Sequence, residues 1–247
     1  MRAEALVAGL VLGLGAAATA KAAECRSMTF AGEGYALCEV AAGEDLRLWL
    51  TGEDGAPMGT FERLRGWAGD RGLSVVFAMN AGMYHPDRRP VGLYVEDGRE
   101  GAPLVTGASK GNFGMLPNGV FCVSDRGFAV TETGAFATRP PACLYATQSG
   151  PMLVIGGALH PRFLPGSDSL HVRNGVGVSP EGRTAWFAIS DRPVTFHAFA
   201  RLFFDGLGVP DALYLDGSIS RLYAPALGRD DAGFPMGPIL GVVVPEG

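Results

Sequence analysis

The sequence predicts a β-rich mixed α/β fold in a single domain, with a mixed sheet, hairpins and a few packed helices. Three observations carry this prediction. Short apolar runs with β-branched or aromatic content recur along the chain, separated by glycine, proline and Asp-Gly punctuation. Only two segments keep an apolar spacing of helical period. Each of those two segments runs directly into an apolar strand, the order expected where helices pack on a sheet.

The strand-like runs are Tyr35–Val40, Leu46–Leu50, Leu73–Ala78, Val91–Val95, Val120–Val123, Met152–Ile155, Val176–Val178, Ala185–Ile189, Ala212–Leu215 and Ile239–Val244. Asp97-Gly98, Asp125-Arg126-Gly127 and Pro180-Glu181-Gly182 separate several of them, and such residues suit hairpin turns. The first helix begins near Thr60, sets Phe61, Leu64 and Ala68 on one face and ends at Gly72. The second takes Thr195 as N-cap, carries Phe196, Phe199, Ala200, Phe203 and Leu207 and stops at Gly208. Its His197, Arg201 and Asp205 follow at four-residue intervals, which suits a solvated helix face better than a site.

The 247-residue chain opens on Arg2, an apolar run from Ala5 to Leu14 and small residues up to Ala23, the pattern of a secretory signal cleaved between Ala20 and Ala23. That run falls short of the roughly 20 apolar residues of a spanning helix, and no later run is longer, so stable membrane insertion is not expected. The expected organisation is a signal peptide at 1–23 and one domain at 24–247. The product would be secreted or periplasmic. A net charge of -5 without a block of Lys or Arg lacks the footprint of a nucleic-acid binder, so nucleic acid is not an expected partner. One phosphate could still be held by one or two Arg in a pocket. In an oxidising compartment the four cysteines pair, and sequence order favours Cys25 with Cys38 and Cys122 with Cys143. They show no metal-site spacing.

Both helix-strand units end alike. Leu73–Ala78 runs on to Asn80-Ala-Gly82 and Ala212–Leu215 to Asp216-Gly217-Ser218, and ligand sites in α/β sheets form beyond strand carboxyl ends. Asn80 and Gly82 either serve a tight turn or, for Asn80, meet a sugar hydroxyl or orient a carboxylate. Asp216 caps a turn or offers its carboxylate to a ligand that Gly217 lets approach. Arg173 starts one run and Asp191 ends its expected partner run. A guanidinium there matches phosphate oxygens, and a surface ion pair between the two is the alternative. Ser149 and Ser218 lie in no nucleophile elbow. His85, His160, His171 and His197 form no close ligand pair. No cofactor is expected, with a Ca²⁺ held by carboxylates the one left open.

Asn80-Ala-Gly-Met-Tyr84, Lys110-Gly-Asn-Phe-Gly114, Pro117-Asn-Gly-Val-Phe121, Gln148-Ser-Gly-Pro-Met152, Arg173-Asn-Gly-Val-Gly177 and Leu215-Asp-Gly-Ser218 occur in one order. This ordered set resembles the phosphodiester glycosidase family over about Leu73 to Tyr223. The resemblance implies a hydrolase that cleaves a sugar-1-phosphodiester in an envelope or extracellular glycoconjugate, with carbohydrate or sugar phosphate as partner. It implies Asp216, Asp191 and Arg173 as catalytic residues. Arg173, aided by Lys110, would hold the phosphate, and the two acids would serve as nucleophile or base. Asn80, Gly82, Lys110, Asn112, Gln148, Ser149, Gly217 and Ser218 would line the substrate site, with Asn80 and Gln148 on sugar hydroxyls. Two stretches depart from the family pattern: Gly217-Ser218 where many members have two glycines, and Asn80-Ala-Gly-Met-Tyr84 where many have Asn-Gly-Thr-Phe-Phe. The competing readings are a glycan-binding module without turnover and a metal-dependent phosphodiesterase.

Overall fold

A computed structural model describes residues 23–107, 109–216 and 219–247. The expected cleavage region before Ala23, Gly217 and Ser218 lie outside the described residues. The chain folds as a β-rich mixed α/β domain of three sheets. The first runs in the spatial order β1 (Glu24–Phe30), β2 (Glu33–Ala41), β13 (Thr184–Ser190), β12 (Asn174–Val178), β14 (Asp211–Asp216), β10 (Met152–Ile155) and β11 (Ala158–Leu159). The second orders β16 (Arg229–Asp230), β15 (Leu222–Ala224), β4 (Leu73–Asn80), β17 (Ile239–Pro245) and β3 (Leu46–Trp49). The third orders β6 (Arg99–Ala102), β5 (Tyr94–Glu96), β9 (Tyr145–Ser149), β7 (Gly119–Ser124) and β8 (Gly127–Glu132).

Three phenylalanines join the sheets. Phe77 of β4 meets Phe187 of β13 at 5.5 Å between ring centroids, and Phe121 of β7 meets the same ring edge-on at 5.6 Å. Around them Leu213, Leu215, Leu240 and Val242 complete one shared core. The opposite face of each sheet is covered by its own helix. α1 (Phe61–Gly69) lays Phe61, Leu64 and Ala68 on Val75 and Val243 of the second sheet. α2 (Thr133–Thr138) sets Phe136 on Val120 and Ala146 of the third. α3 (Phe196–Arg201) sets Phe199 on Tyr35, Leu37 and Tyr214 of the first, and continues into wider π-type turns over Leu202–Gly206. Strands with both faces covered read as continuous apolar runs in the sequence, and the caps hold as expected. Thr60 Oγ1 accepts from Arg63 N at 3.2 Å and Thr195 Oγ1 from Ala198 N at 3.0 Å.

Every strand pairing among the described residues is antiparallel, so the mixture is one of helix and strand and not of strand direction. The reason lies in the connections: β4 pairs with β15 and β17, and β14 with β12 and β10, instead of with a parallel neighbour beyond a helix. The three predicted turns close hairpins β5–β6, β7–β8 and β12–β13. Asp97 and Gly98 both take positive φ, at 50° and 72°, which suits a two-residue turn between twisted strands. The run Val91–Val95 is shorter than expected and contributes only Tyr94–Glu96, because Val91 N donates to Met83 O in a narrower loop. Both disulfides form. Cys25 and Cys38 face each other across β1 and β2, and Cys122 is joined to Cys143. No described helix is long and apolar enough to cross a membrane.

Candidate active site

Strands β4 and β14 deliver Asn80 and Asp216 to the same pole of the molecule, and Asn174 at the start of β12 ties them together. The Asn174 Oδ1 atom accepts from Asp216 N at 3.1 Å and from Asn80 Nδ2 at 3.2 Å, while its Nδ2 donates to Asn80 O at 3.0 Å. Ser220 Oγ donates to Asp216 O at 2.7 Å, so the backbone of Asp216 is held on both sides. Arg221 N donates to Asn80 Oδ1 at 2.9 Å. This amide network links the first sheet to the second directly beneath a cleft.

The cleft has a volume of about 550 Å³ and is lined by Met83, Tyr84, His85, Val91, Ser109, Lys110, Gly111, Asn112, Phe113, Asp216 and Ile219. A volume of this order accommodates a sugar with its substituent. Asp216 is the one carboxylate that lines it among the described residues. Tyr84 stays a neutral phenol at neutral pH, since burial first and the Asp216 charge second raise its pKa. Tyr214, two residues before Asp216 on β14, is pushed up by burial in the same way. A groove of about 840 Å³ at the opposite pole is larger, but it lies among the turns at 42–47, 97–98 and 123–128, and none of the motif residues lines it.

The residues singled out in the sequence fall into three places. Asp216, Lys110 and Asn112 come together in the cleft. Asn80, Gly82, Gln148, Ser149 and Arg173 are buried beneath it. Gln148 spends its whole side chain inside the protein: Oε1 accepts from Leu93 N and Val105 N, both at 3.0 Å, and Nε2 donates to Val105 O at 2.7 Å and Thr133 Oγ1 at 3.1 Å. Ser149 Oγ donates to Leu215 O at 2.6 Å. Gly82 lets the loop after β4 lie on β9, because a Cβ there would meet Thr147 Oγ1 at 2.4 Å and Gln148 O at 2.6 Å. In this arrangement Asn80 and Gln148 lie in the bed of the site, with their side-chain hydrogen bonds made inside the fold.

Arg173 is enclosed in the same way. It is 0 % exposed, its Nε donates to Val194 O at 2.9 Å and its Nη2 to Ser169 O at 2.9 Å, and its guanidinium lies 3.6 Å from the centre of the Phe196 ring. Nη1 points at the Tyr214 hydroxyl at 3.4 Å. Its partners are oxygens and rings, and burial lowers its pKa below the ordinary guanidinium value. It anchors two loops against α3 and does not line the cleft. Asp191, half exposed just after β13, stands apart from the cleft lining, and its ion pair is with Arg229 at 3.4 Å. Among the described residues no group of three or more His, Cys, Asp and Glu converges as metal ligands would.

Sequence reasoning passed over Asn174, Tyr84 and His85. Asn174 and Tyr84 lay inside quoted motifs, but nothing in spacing alone marks a residue as a hub. His85 has no patterned partner.

Fold and site define a class: a β-rich domain that presents a carboxylate, held from behind by an enclosed amide network, to a cleft of sugar size. A family model, phosphodiester glycosidase, matches residues 74–237, and the chain belongs to that family. It is 36% identical over 180 residues to the uncharacterized protein YigE of Escherichia coli (strain K12), covering 73% of this chain and 70% of that protein. Its fold is similar to the catalytic domain of zebrafish N-acetylglucosamine-1-phosphodiester alpha-N-acetylglucosaminidase auto-inhibited by its pro-peptide, with a TM-score of 0.58 at 12% identity, covering 89% of this chain and 81% of that one.

Proposed function

We propose that the chain is an exported hydrolase that cleaves the bond between a sugar anomeric carbon and a phosphodiester oxygen. The observation that carries this reading is Asp216: a carboxylate pinned through its own backbone, at the floor of a cleft whose rim holds Lys110 and Asn112. The C1–O bond breaks with its electron pair going to the phosphate, which departs as a stable monoester anion. Such a leaving group needs little acid help, so one carboxylate suffices where ordinary glycoside hydrolysis uses two. Asp216 stabilises the developing positive charge at C1 and either attacks it or takes a proton from the water that does. Lys110 faces the departing phosphate and Asn112 a sugar hydroxyl, and Tyr84 keeps its proton as a donor. Asn174, Asn80 and Arg173 act behind the cleft as positioning residues. Two disulfides and the signal-like opening support a location outside the cytoplasm.

The test is turnover of a panel of chromogenic sugar-1-phosphodiesters by the mature protein. The reading requires release of free sugar and phosphate monoester from at least one, and the anomer formed first tells attack from base catalysis. Cleavage on the phosphorus side of the bridging oxygen, or no turnover on the whole panel, contradicts it.

A further inference from the structure

Among the described residues six large apolar side chains stand exposed, and four of them, Leu116, Leu164, Leu170 and Phe234, at 42, 68, 55 and 80 % exposure, stand on loops that join the cleft or the bed beneath it. Each is tied to the site. Leu116 ends the loop whose Lys110, Asn112 and Phe113 line the cleft. Leu164 and Leu170 ride on the segment between β11 and β12, held where Ser169 O accepts from Arg173 and where Phe163 stacks on Phe196 at 5.0 Å. Phe234 stands on the loop before β17. The Phe234 carbonyl accepts from Arg221, whose own N–H holds Asn80, and Gly237 of that loop lies against the Tyr84 ring. The other two exposed side chains lie elsewhere: Leu144 lines the groove at the opposite pole, and Phe204 sits in the turns after α3.

Single exposed apolar residues are ordinary, but four on loops tied to one site are not. They stand on three separate loops: Leu116 before β7, Leu164 and Leu170 between β11 and β12, and Phe234 before β17. Cations lie on the same and adjoining loops. Lys110, Arg162 and Arg192 are exposed and form no ion pair among the described residues, in a chain of net charge -5. Of the nearby acids, Asp87 is held by Arg89 and Asp191 by Arg229, and Asp168 is exposed between Leu164 and Leu170. Apolar tips beside cations match the two layers of an anionic bilayer surface, acyl boundary below and headgroup phosphate above.

We propose that this pole faces a membrane surface and that the sugar phosphodiester entering the cleft carries a lipid aglycone, its glycosyl end in the cleft and its chain left in the bilayer. The proposal rests on the reading of the cleft as a phosphodiester glycosidase site. It is tested with the mature protein and its Leu164→Ser/Leu170→Ser/Phe234→Ser variant, all three at exposed positions. Vesicles of equal parts phosphatidylcholine and phosphatidylglycerol should sediment the wild type, with binding that falls as salt rises and is weakened about tenfold or more in the variant. Turnover of a lipid-linked sugar phosphodiester in those vesicles should fall in parallel, while turnover of a water-soluble chromogenic analogue stays unchanged. Absence of vesicle binding by the wild type, or equal binding by the variant, overturns the proposal, and that includes the case in which the tips serve a protein partner. If the soluble analogue is never turned over, the glycosidase reading fails, while the vesicle arm still decides the surface.

Discussion

The side-chain oxygen of Asn174 accepts the backbone N–H of Asp216 at 3.1 Å across a bulge that pairs these two residues between β12 and β14. The bulge matters because it turns the end of β14 out of regular register, and the amide replaces the ladder bond that is lost there. The carboxylate of Asp216 thus leaves a strand end whose direction is fixed from behind.

Asn174→Ala removes that acceptor and the donor to Asn80 O, both fully enclosed. Stability should fall by about 2 to 3 kcal/mol, as for a buried group that strands its partners. Turnover should fall about tenfold or more with a smaller change in KM, read by urea denaturation and steady-state kinetics. A variant that loses stability and keeps kcat would reduce Asn174 to a structural tie.

Gly82→Ala tests the seating of the loop after β4. The new Cβ would press on Thr147 Oγ1 and the Gln148 carbonyl, the second of which is backbone and cannot give way cheaply. A loss of about 1 to 3 kcal/mol is expected from denaturation curves.

Arg173→Lys keeps the charge but not the fork that reaches Val194 O and Ser169 O together, nor the flat stack on Phe196. It should destabilise by about 2 kcal/mol and loosen the segment between β11 and β12, read as faster proteolysis between His160 and Val172. Unchanged protection of that segment would contradict the anchoring role.

His160 is 1% exposed, accepts from Arg162 N through Nδ1 at 3.2 Å and stacks on Phe163 at 4.7 Å. Burial lowers its pKa from 6.5, so below that pH the unfolded chain takes up a proton that the folded chain refuses. Stability from this group is therefore intact above pH 6.5 and is lost as the pH falls below it toward the folded-state pKa. In His160→Gln the stability difference between pH 7 and pH 5 should shrink, as measured by denaturation at the two values.

Much of the frame was legible in the sequence because the shared core makes its strands apolar on both faces. Leu73–Ala78 and Ala212–Leu215 are continuous apolar runs for that reason, and Thr60 and Thr195 cap the helices that cover them. Strand β9, Tyr145–Ser149, was not legible: Thr147, Gln148 and Ser149 are as buried as any leucine, but their polar groups are matched inside the fold, and an apolar pattern cannot register that. Edge strand β1 is mostly exposed and equally silent. The same effect shaped the site. Motif order marked Asn80, Gln148, Arg173 and Asp216 together, and the structure gathers them at one pole, but only three-dimensional burial separates the bed from the lining. Asp191 shares a strand end with the site and still faces Arg229, which no spacing rule distinguishes from facing the cleft.

In the proposed reaction Asp216 acts on the anomeric carbon. Its most direct test is Asp216→Asn assayed on a sugar-1-phosphodiester that the wild type hydrolyses, with binding measured separately by calorimetry. The expected result is a fall in kcat of about a thousandfold or more, with affinity kept within a few fold and the fold intact. Full turnover in Asp216→Asn would contradict it.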